Sequence, residues 1–354
     1  MQGSSVPRRA PEGAPVDCFT GLRAFVSLEL MAREAMNAAP RTSSRPQNSA
    51  QAEIIESRDN RWLKIFRAAL RQGYLPDEGL IGLEGPHLVE EALRSGLHIE
   101  AILTGPDGEK ALAMWPDKSH LPARVLKTTA RLFESVAGTE HPQGIAALVR
   151  PREWTFDDVV RDGAPLVVVL VGVQDPGNVG TAARSAEAFG ATGLVATKGT
   201  ADPWSSKALR ASAGSALRLP ILRGIAPAVA MAQLRVAGLR ILAASAKQAA
   251  GASEPPADLS GACAIFIGNE GAGLPPEVER SADGLFAIPM ASSVDSLNAG
   301  VAASVILYEA ARQRRECSNE NGTQRRNESG AQHRTETGNQ RRTDRRSDRT
   351  SQRG

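Results

Sequence analysis

The sequence predicts an α/β protein whose larger part is a parallel sheet, preceded by a smaller α/β domain. Two observations carry this. From about residue 80 onward, strand-like apolar runs alternate with helical segments, the pattern of helices laid against a parallel sheet. One run, Leu166-Val167-Val168-Val169-Leu170-Val171, is apolar at every position, as in strands buried on both faces.

The elements follow in order. Residues 1–50 are rich in Pro, Ser, Arg and Ala and are expected to form a disordered extension. A helix is expected near Asn60–Gln72, where Trp62, Ile65, Phe66 and Ala69 recur at helical spacing. Leu80–Glu84 reads as a strand. Gly85-Pro86 then opens a helix that Gly96 stops, with Pro86 at the favoured first position. Ile99–Leu103, Arg124–Lys127 and Gln143–Val149 read as further strands, with a helix over Ala130–Val136. Residues 51–150 thus form one domain, and the charged, turn-rich 151–164 a linker.

The second domain spans 165–312. After the Leu166 strand comes a helix over Val179–Phe189, ended by Gly190. Strands are expected at Gly193–Ala196, Leu239–Ala244, Cys263–Gly268 and Leu285–Pro289, and helices at Ala228–Val236 and Leu297–Arg312. The tail, 313–354, has no apolar periodicity and is expected to be disordered and basic.

Bulk properties narrow the class. A chain of 354 residues can hold two cores. Aromatics make up 4%, so the cores are built from Ala, Val, Leu and Ile. No apolar run approaches the roughly 20 residues that span a bilayer. Three scattered cysteines form no disulfide or metal spacing and favour a reducing, cytoplasmic setting. The five histidines, His87, His98, His120, His141 and His333, lack ligand spacing, so no metal is expected. The net charge of +3 hides an asymmetry: Arg312–Gly354 holds 12 Arg against 6 acidic residues, leaving 30 basic and 33 acidic in the body, about −3.

Three segments carry chemistry, and each starts just after an apolar strand. In parallel sheets that places them at the ligand-binding edge. The first is Asp175-Pro176-Gly177-Asn178-Val179-Gly180, continuing to Arg184 and Glu187. Asn178 suits a helix cap, and Arg184 and Glu187 stand at ion-pair spacing. Alternatively, Arg184 presents a planar guanidinium to a phosphate or a developing oxyanion. The second, Gly268-Asn269-Glu270-Gly271-Ala272-Gly273-Leu274, sets three glycines around one carboxylate, so that backbone can approach a ligand closely. The third is Ile288-Pro289-Met290-Ala291-Ser292-Ser293-Val294-Asp295-Ser296-Leu297-Asn298, a strand broken at proline that re-enters a helix, with Asp295 or Ser296 as the expected cap. That helix is rich in small residues (Ala299, Gly300, Ala302, Ala303) and ends near Tyr308-Glu309. A dinucleotide fold fits poorly. The first segment is not G-x-G-x-x-G, and Ala196-Thr197 stands where an acidic residue is needed.

In this order the three segments resemble the motifs of the SpoU (TrmH-type) RNA ribose methyltransferases of the SPOUT class, over about Pro165–Ala311. The earlier run Leu83-Glu84-Gly85-Pro86-His87-Leu88-Val89-Glu90-Glu91-Ala92 resembles that family's RNA substrate-binding domain. The resemblance implies a C-terminal trefoil knot, S-adenosylmethionine as cofactor, and a homodimer in which the partner completes each active site. It implies cofactor contacts at Gly268, Ile288 and Leu297, with Asn269 and Met290 as neighbours. It assigns the catalytic set to Asn178, Arg184, Glu270, Ser296 and Asn298. The implied reaction is 2′-O-methylation of a ribose in RNA, with ribosomal RNA favoured by the separate substrate domain. The alternatives are a transfer RNA substrate, or an RNA-binding protein of the same fold without activity.

Overall fold

A computed structural model describes residues 52–115, 124–161, 163–245, 257–290 and 296–319. The 1–50 extension, the run Ala291–Asp295 and the tail beyond residue 319 lie outside them.

The smaller domain is a five-stranded sheet of order β1-β4-β3-β5-β2. Its elements are β1 (Glu53–Ile55), α1 (Arg61–Gln72), β2 (Ile81–Glu84), α2 (Pro86–Arg94), β3 (His98–Thr104), α3 (Pro106–Ala113), β4 (Val125–Thr128), α4 (Ala130–Val136) and β5 (Ile145–Arg150). β1, β4 and β3 run parallel, while β5 is antiparallel to β3 and β2. Asn60 caps α1 by accepting the Trp62 amide at 2.8 Å. Leu63, Ile65, Phe66, Ala69 and Leu70 form its buried face. The sequence pattern left out β1 and α3, because a three-residue edge strand and a helix with Gly108 inside it carry little periodicity.

The linker holds one short helix, α5 (Phe156–Val159). Beyond it lies a six-stranded sheet of order β11-β9-β10-β6-β7-β8, and every pairing in it is parallel. The strands are β6 (Leu166–Leu170), β7 (Gly193–Thr197), β8 (Ile221–Ile225), β9 (Arg240–Ala244), β10 (Cys263–Ile267) and β11 (Gly284–Phe286). The helices are α6 (Pro176–Ala188), α7 (Ser206–Ser212), α8 (Pro227–Val236), α9 (Pro276–Ser281) and α10, over residues 299–319. β8 escaped the pattern because Arg223 and Gly224 interrupt its apolar run. Helix α10 continues past the Arg312 end that its periodicity suggested, so 313–319 is helix rather than tail. The reason is local anchoring. Gln313 Oε1 accepts the Leu259 amide at 2.6 Å, and Arg314 donates to the carbonyls of Leu259 and Gly261 at 2.9 and 2.5 Å.

Helix α6 is held between two neighbours at glycine contacts. On one side a Cβ at Gly180 would fall 2.3 Å from the Ala208 carbonyl oxygen of α7. On the other, a Cβ at Gly300 of α10 would lie 3.2 Å from the Asn178 Cα and 3.1 Å from the Thr181 Cβ. Helices α6 and α10 then run side by side: Ser185 and Ser304 share a hydrogen bond at 2.7 Å, and the Phe189 and Tyr308 rings meet edge to face at 5.8 Å.

The two sheets are joined by more than the linker. After a 3₁₀ turn at Ser215–Leu217, Arg218 donates to both oxygens of Glu187 on α6, at 2.7 and 2.8 Å, and also to Glu91 on α2. These bonds hold the Glu187 carboxyl below its ordinary pKa and raise that of Arg218. Nearby, Trp204 is buried and the Arg223 guanidinium stacks 4.2 Å from the centre of the Tyr74 ring.

Gly180→Ala tests the helix contact by sign. Helix propensity alone favours alanine by about 1 kcal/mol. The 2.3 Å approach to backbone predicts instead a net loss of about 1–3 kcal/mol and a lower Tm. A stabilised variant would contradict the packing. A second expectation concerns acid. Hydrogen bonds from Arg312 and Gln313 hold the Glu309 carboxyl down to about 2 from an ordinary 4.5. Its contribution is therefore full above pH 4.5 and is lost as the pH falls towards 2. The Tm difference between the parent and Glu309→Gln should shrink over that window, and a constant difference would count against the assignment.

Candidate active site

A cavity of about 450 Å³ opens at the C-terminal edge of the six-stranded sheet. That size falls in the usual range for small-molecule sites, about 300–1,000 Å³. The loop after β10 supplies Gly268 to Leu274, and the chain after β11 supplies Ile288 and Met290. Ser296 and Leu297 come from the entry to α10, and Ala299, Ala302 and Ile306 of α10 add apolar surface.

The β10 loop is closed on itself. A Cβ at Gly268 would lie 2.2 Å from the Gly273 carbonyl carbon, so no larger residue fits this turn. Asn269 and Gly273 exchange backbone hydrogen bonds at 3.1 and 2.9 Å. The Asn269 side chain completes the closure. Its Oδ1 accepts the Gly271 and Ala272 amides at 2.9 and 3.1 Å, and its Nδ2 donates to the Gly172 carbonyl at 2.9 Å. That last bond ties the β10 loop to the end of β6. With its side chain so engaged, Asn269 can serve a ligand chiefly through its backbone.

Glu270 accepts a hydrogen bond from Asn178 Nδ2 at 2.5 Å. Asn178 is buried in the first turn of α6 and is not its cap. The helix starts earlier than its apolar pattern suggested because Pro176 takes the first position, and Asp175 caps it by accepting the Gly177 amide at 2.8 Å. Lys207 pairs with Asp175 at 2.7 Å, and that bond with the Gly177 bond keeps the carboxyl below its ordinary pKa.

The expected Arg184–Glu187 pair does not form, since Arg218 takes Glu187. Arg184 is exposed on α6 and has no ion pair among the described residues. The cap of α10 is Asn298, not Ser296: its Oδ1 accepts the Gly300 and Val301 amides at 3.0 and 3.2 Å. Asp295, the other expected cap, lies outside the described residues.

One cavity thus gathers Gly268, Asn269, Glu270, Ile288, Met290, Ser296 and Leu297, and Asn178 joins it through Glu270. Arg184 and Asn298 do not line it. The cavity adds Ser245, Glu279 and Phe286, which the sequence reading missed. Ser245 stands just past β9 and was open to discovery by the strand-end rule. Glu279, on the short helix α9, carried no such signal. Among the described residues no group of three His, Cys, Asp or Glu could hold a metal ion.

A parallel sheet with a cavity, a closed glycine loop and a polar pair at its C-terminal edge is the arrangement in which α/β proteins bind small organic ligands. Residues 165–308 match the SpoU rRNA Methylase family, and residues 76–147 match an MRM3-like substrate binding domain. The chain is 31% identical to the 23S rRNA (guanosine(2553)-2′-O)-methyltransferase RlmP of Bacillus subtilis, over 72% of this chain and 97% of that protein. It is 30% identical to the 23S rRNA (guanosine-2′-O-)-methyltransferase RlmB of Vibrio vulnificus, over 61% and 89%. Among solved structures, the AdoMet-bound rRNA methyltransferase of Sinorhizobium meliloti superposes with a TM-score of 0.61 at 30% identity, over 74% of this chain and 98% of that one. This protein belongs to the SpoU rRNA methylase family.

Gly268→Ala is expected to force the β10 loop open and to abolish S-adenosylmethionine binding in a calorimetric titration. Parent-like affinity would show that the tight turn does not shape the pocket.

Proposed function

We infer that the protein transfers the methyl group of S-adenosylmethionine to a ribose 2′-oxygen in RNA, with ribosomal RNA as the favoured substrate. The observation that carries this is the cavity at the β10 loop, where a turn that only glycine can occupy and a mostly apolar lining fit an adenosyl group. When bound, the cofactor supplies an activated methyl carbon. Its transfer to the ribose oxygen would leave the neutral thioether S-adenosylhomocysteine and release the hydroxyl proton to solvent water. The chain's own contribution is positional and electrostatic. Gly268, Ile288 and Leu297 shape the pocket wall. Glu270 is held by Asn178, and Ser296 lies within the same lining.

Arg184 is the proposed stabiliser of the phosphate or oxyanion. A guanidinium keeps its proton in proteins, so its role is charge rather than base catalysis. Its exposed position outside the cavity supports a homodimer in which this residue serves the partner's site. The same reading accounts for Val301, Val305 and Tyr308, which form an exposed apolar stripe at i, i+4, i+7 along α10. A C-terminal trefoil knot and a cytoplasmic location belong to this proposal as well.

Arg184→Ala should abolish methyl transfer to rRNA while leaving S-adenosylmethionine binding intact, and near-parent turnover would remove Arg184 from the mechanism. Asn298→Ala should cost about 1 kcal/mol in stability as a lost cap and also lower turnover sharply. A stability loss with unchanged turnover would leave it a cap alone. Mapping 2′-O-methyl groups in total RNA with and without the gene would identify the target, and an unchanged map would contradict the activity.

A further inference from the structure

We propose that the solvent face of α1, in the smaller domain, is a docking surface for the phosphate backbone of the substrate RNA; this rests on the activity inferred above. The helix Arg61–Gln72 contains no acidic residue. With Leu63, Phe66 and Leu70 turned inward, its outer arc carries Arg61, Lys64, Arg67 and Arg71. The neighbouring α2 shows the usual mixture, with Arg94 answered by Glu90 and Glu91. A face of one sign is the less expected because the chain outside its tail carries about −3.

The cations of α1 are little used within the protein. Lys64 approaches Asp59 at 3.5 Å, but both side chains are largely exposed, where such pairs contribute little. Arg67 donates to the Ser135 carbonyl at 3.3 Å. Arg61 and Arg71 form no ion pair among the described residues. Arg71 sits in the last turn, where the helix dipole favours a cation. Arg61 sits in the first turn, where the dipole opposes one and no acidic residue compensates. The dipole makes Arg61 a poor contributor to folding, whereas its charge suits a bound polyanion.

The face also leads towards helix α6. Gly73, just past α1, packs against Trp204 and Ser205 at the start of α7, with a Cβ there 3.1–3.3 Å from their backbone. Helix α7 exposes Lys207 and Arg210 and packs on α6, which carries Arg184. Arg61 to Arg71 spans about 15 Å at 1.5 Å per residue. The contact is with phosphates, which fixes register without reading bases.

The test uses the full chain with Arg61→Gln, Lys64→Gln and Arg71→Gln combined. Binding of an unmodified 23S rRNA transcript is measured from 50 to 300 mM KCl, beside methyl-transfer kinetics on the same RNA. The proposal expects the slope of log K against log salt to fall by roughly 2. It also expects the KM for RNA to rise about tenfold or more, with kcat and S-adenosylmethionine affinity within about twofold of the parent. The charge-conserving variant Arg61→Lys/Arg71→Lys should keep the parent slope. A parent-like slope in the triple Gln variant, or a lost slope in the Lys variant, overturns the proposal. If the parent binds the transcript but methylates nothing, the activity reading fails, and the slope comparison still decides the docking surface.

Discussion

The site depends on how closely backbones approach helix α6. Gly180 lets α7 come within contact distance on one flank, and Gly300 does the same for α10 on the other. A side chain at either position would push the helices apart. Asn178 and Arg184 both lie on α6, so its placement sets where the polar groups stand relative to the cavity. The Ser185–Ser304 bond and the Phe189–Tyr308 contact extend the same alignment along both helices.

A second constraint acts at the loop after β10. Its closure depends on Gly268 fitting under Gly273 and on Asn269 spending its whole side chain on neighbouring backbone. The loop is thereby preformed before any ligand arrives, which limits the ordering cost of binding. The bond from Asn269 to Gly172 also joins the ends of β10 and β6, and so ties the loop to the chain that leads into α6. Glu270 then meets Asn178 across that joint.

Much of this was legible in the sequence, for identifiable reasons. The buried strands β6 and β10 announced themselves as unbroken apolar runs, and Ala130–Val136 matched its helix at both ends. Elements whose burial is shared with polar or glycine residues did not, as with β8 and α3. Cavity lining was readable where a motif sits on the chain that forms the cavity, as for Gly268 and Leu297. Partnerships were not. Spacing on one helix offered Glu187 to Arg184, but a long-range contact from Arg218 takes it. Local capping rules pointed to Asn178, but the fixed φ of Pro176 moved the start of the helix and left Asn178 free to face Glu270.

Arg218 has a broader consequence. Domains linked by a short segment ordinarily swing against each other. Here one guanidinium donates to a carboxylate on each side, and the Arg223–Tyr74 stack and the Gly73–Trp204 contact also join the two domains. The smaller sheet's helix α2 is thereby tied through Arg218 to α6, the helix that carries Asn178.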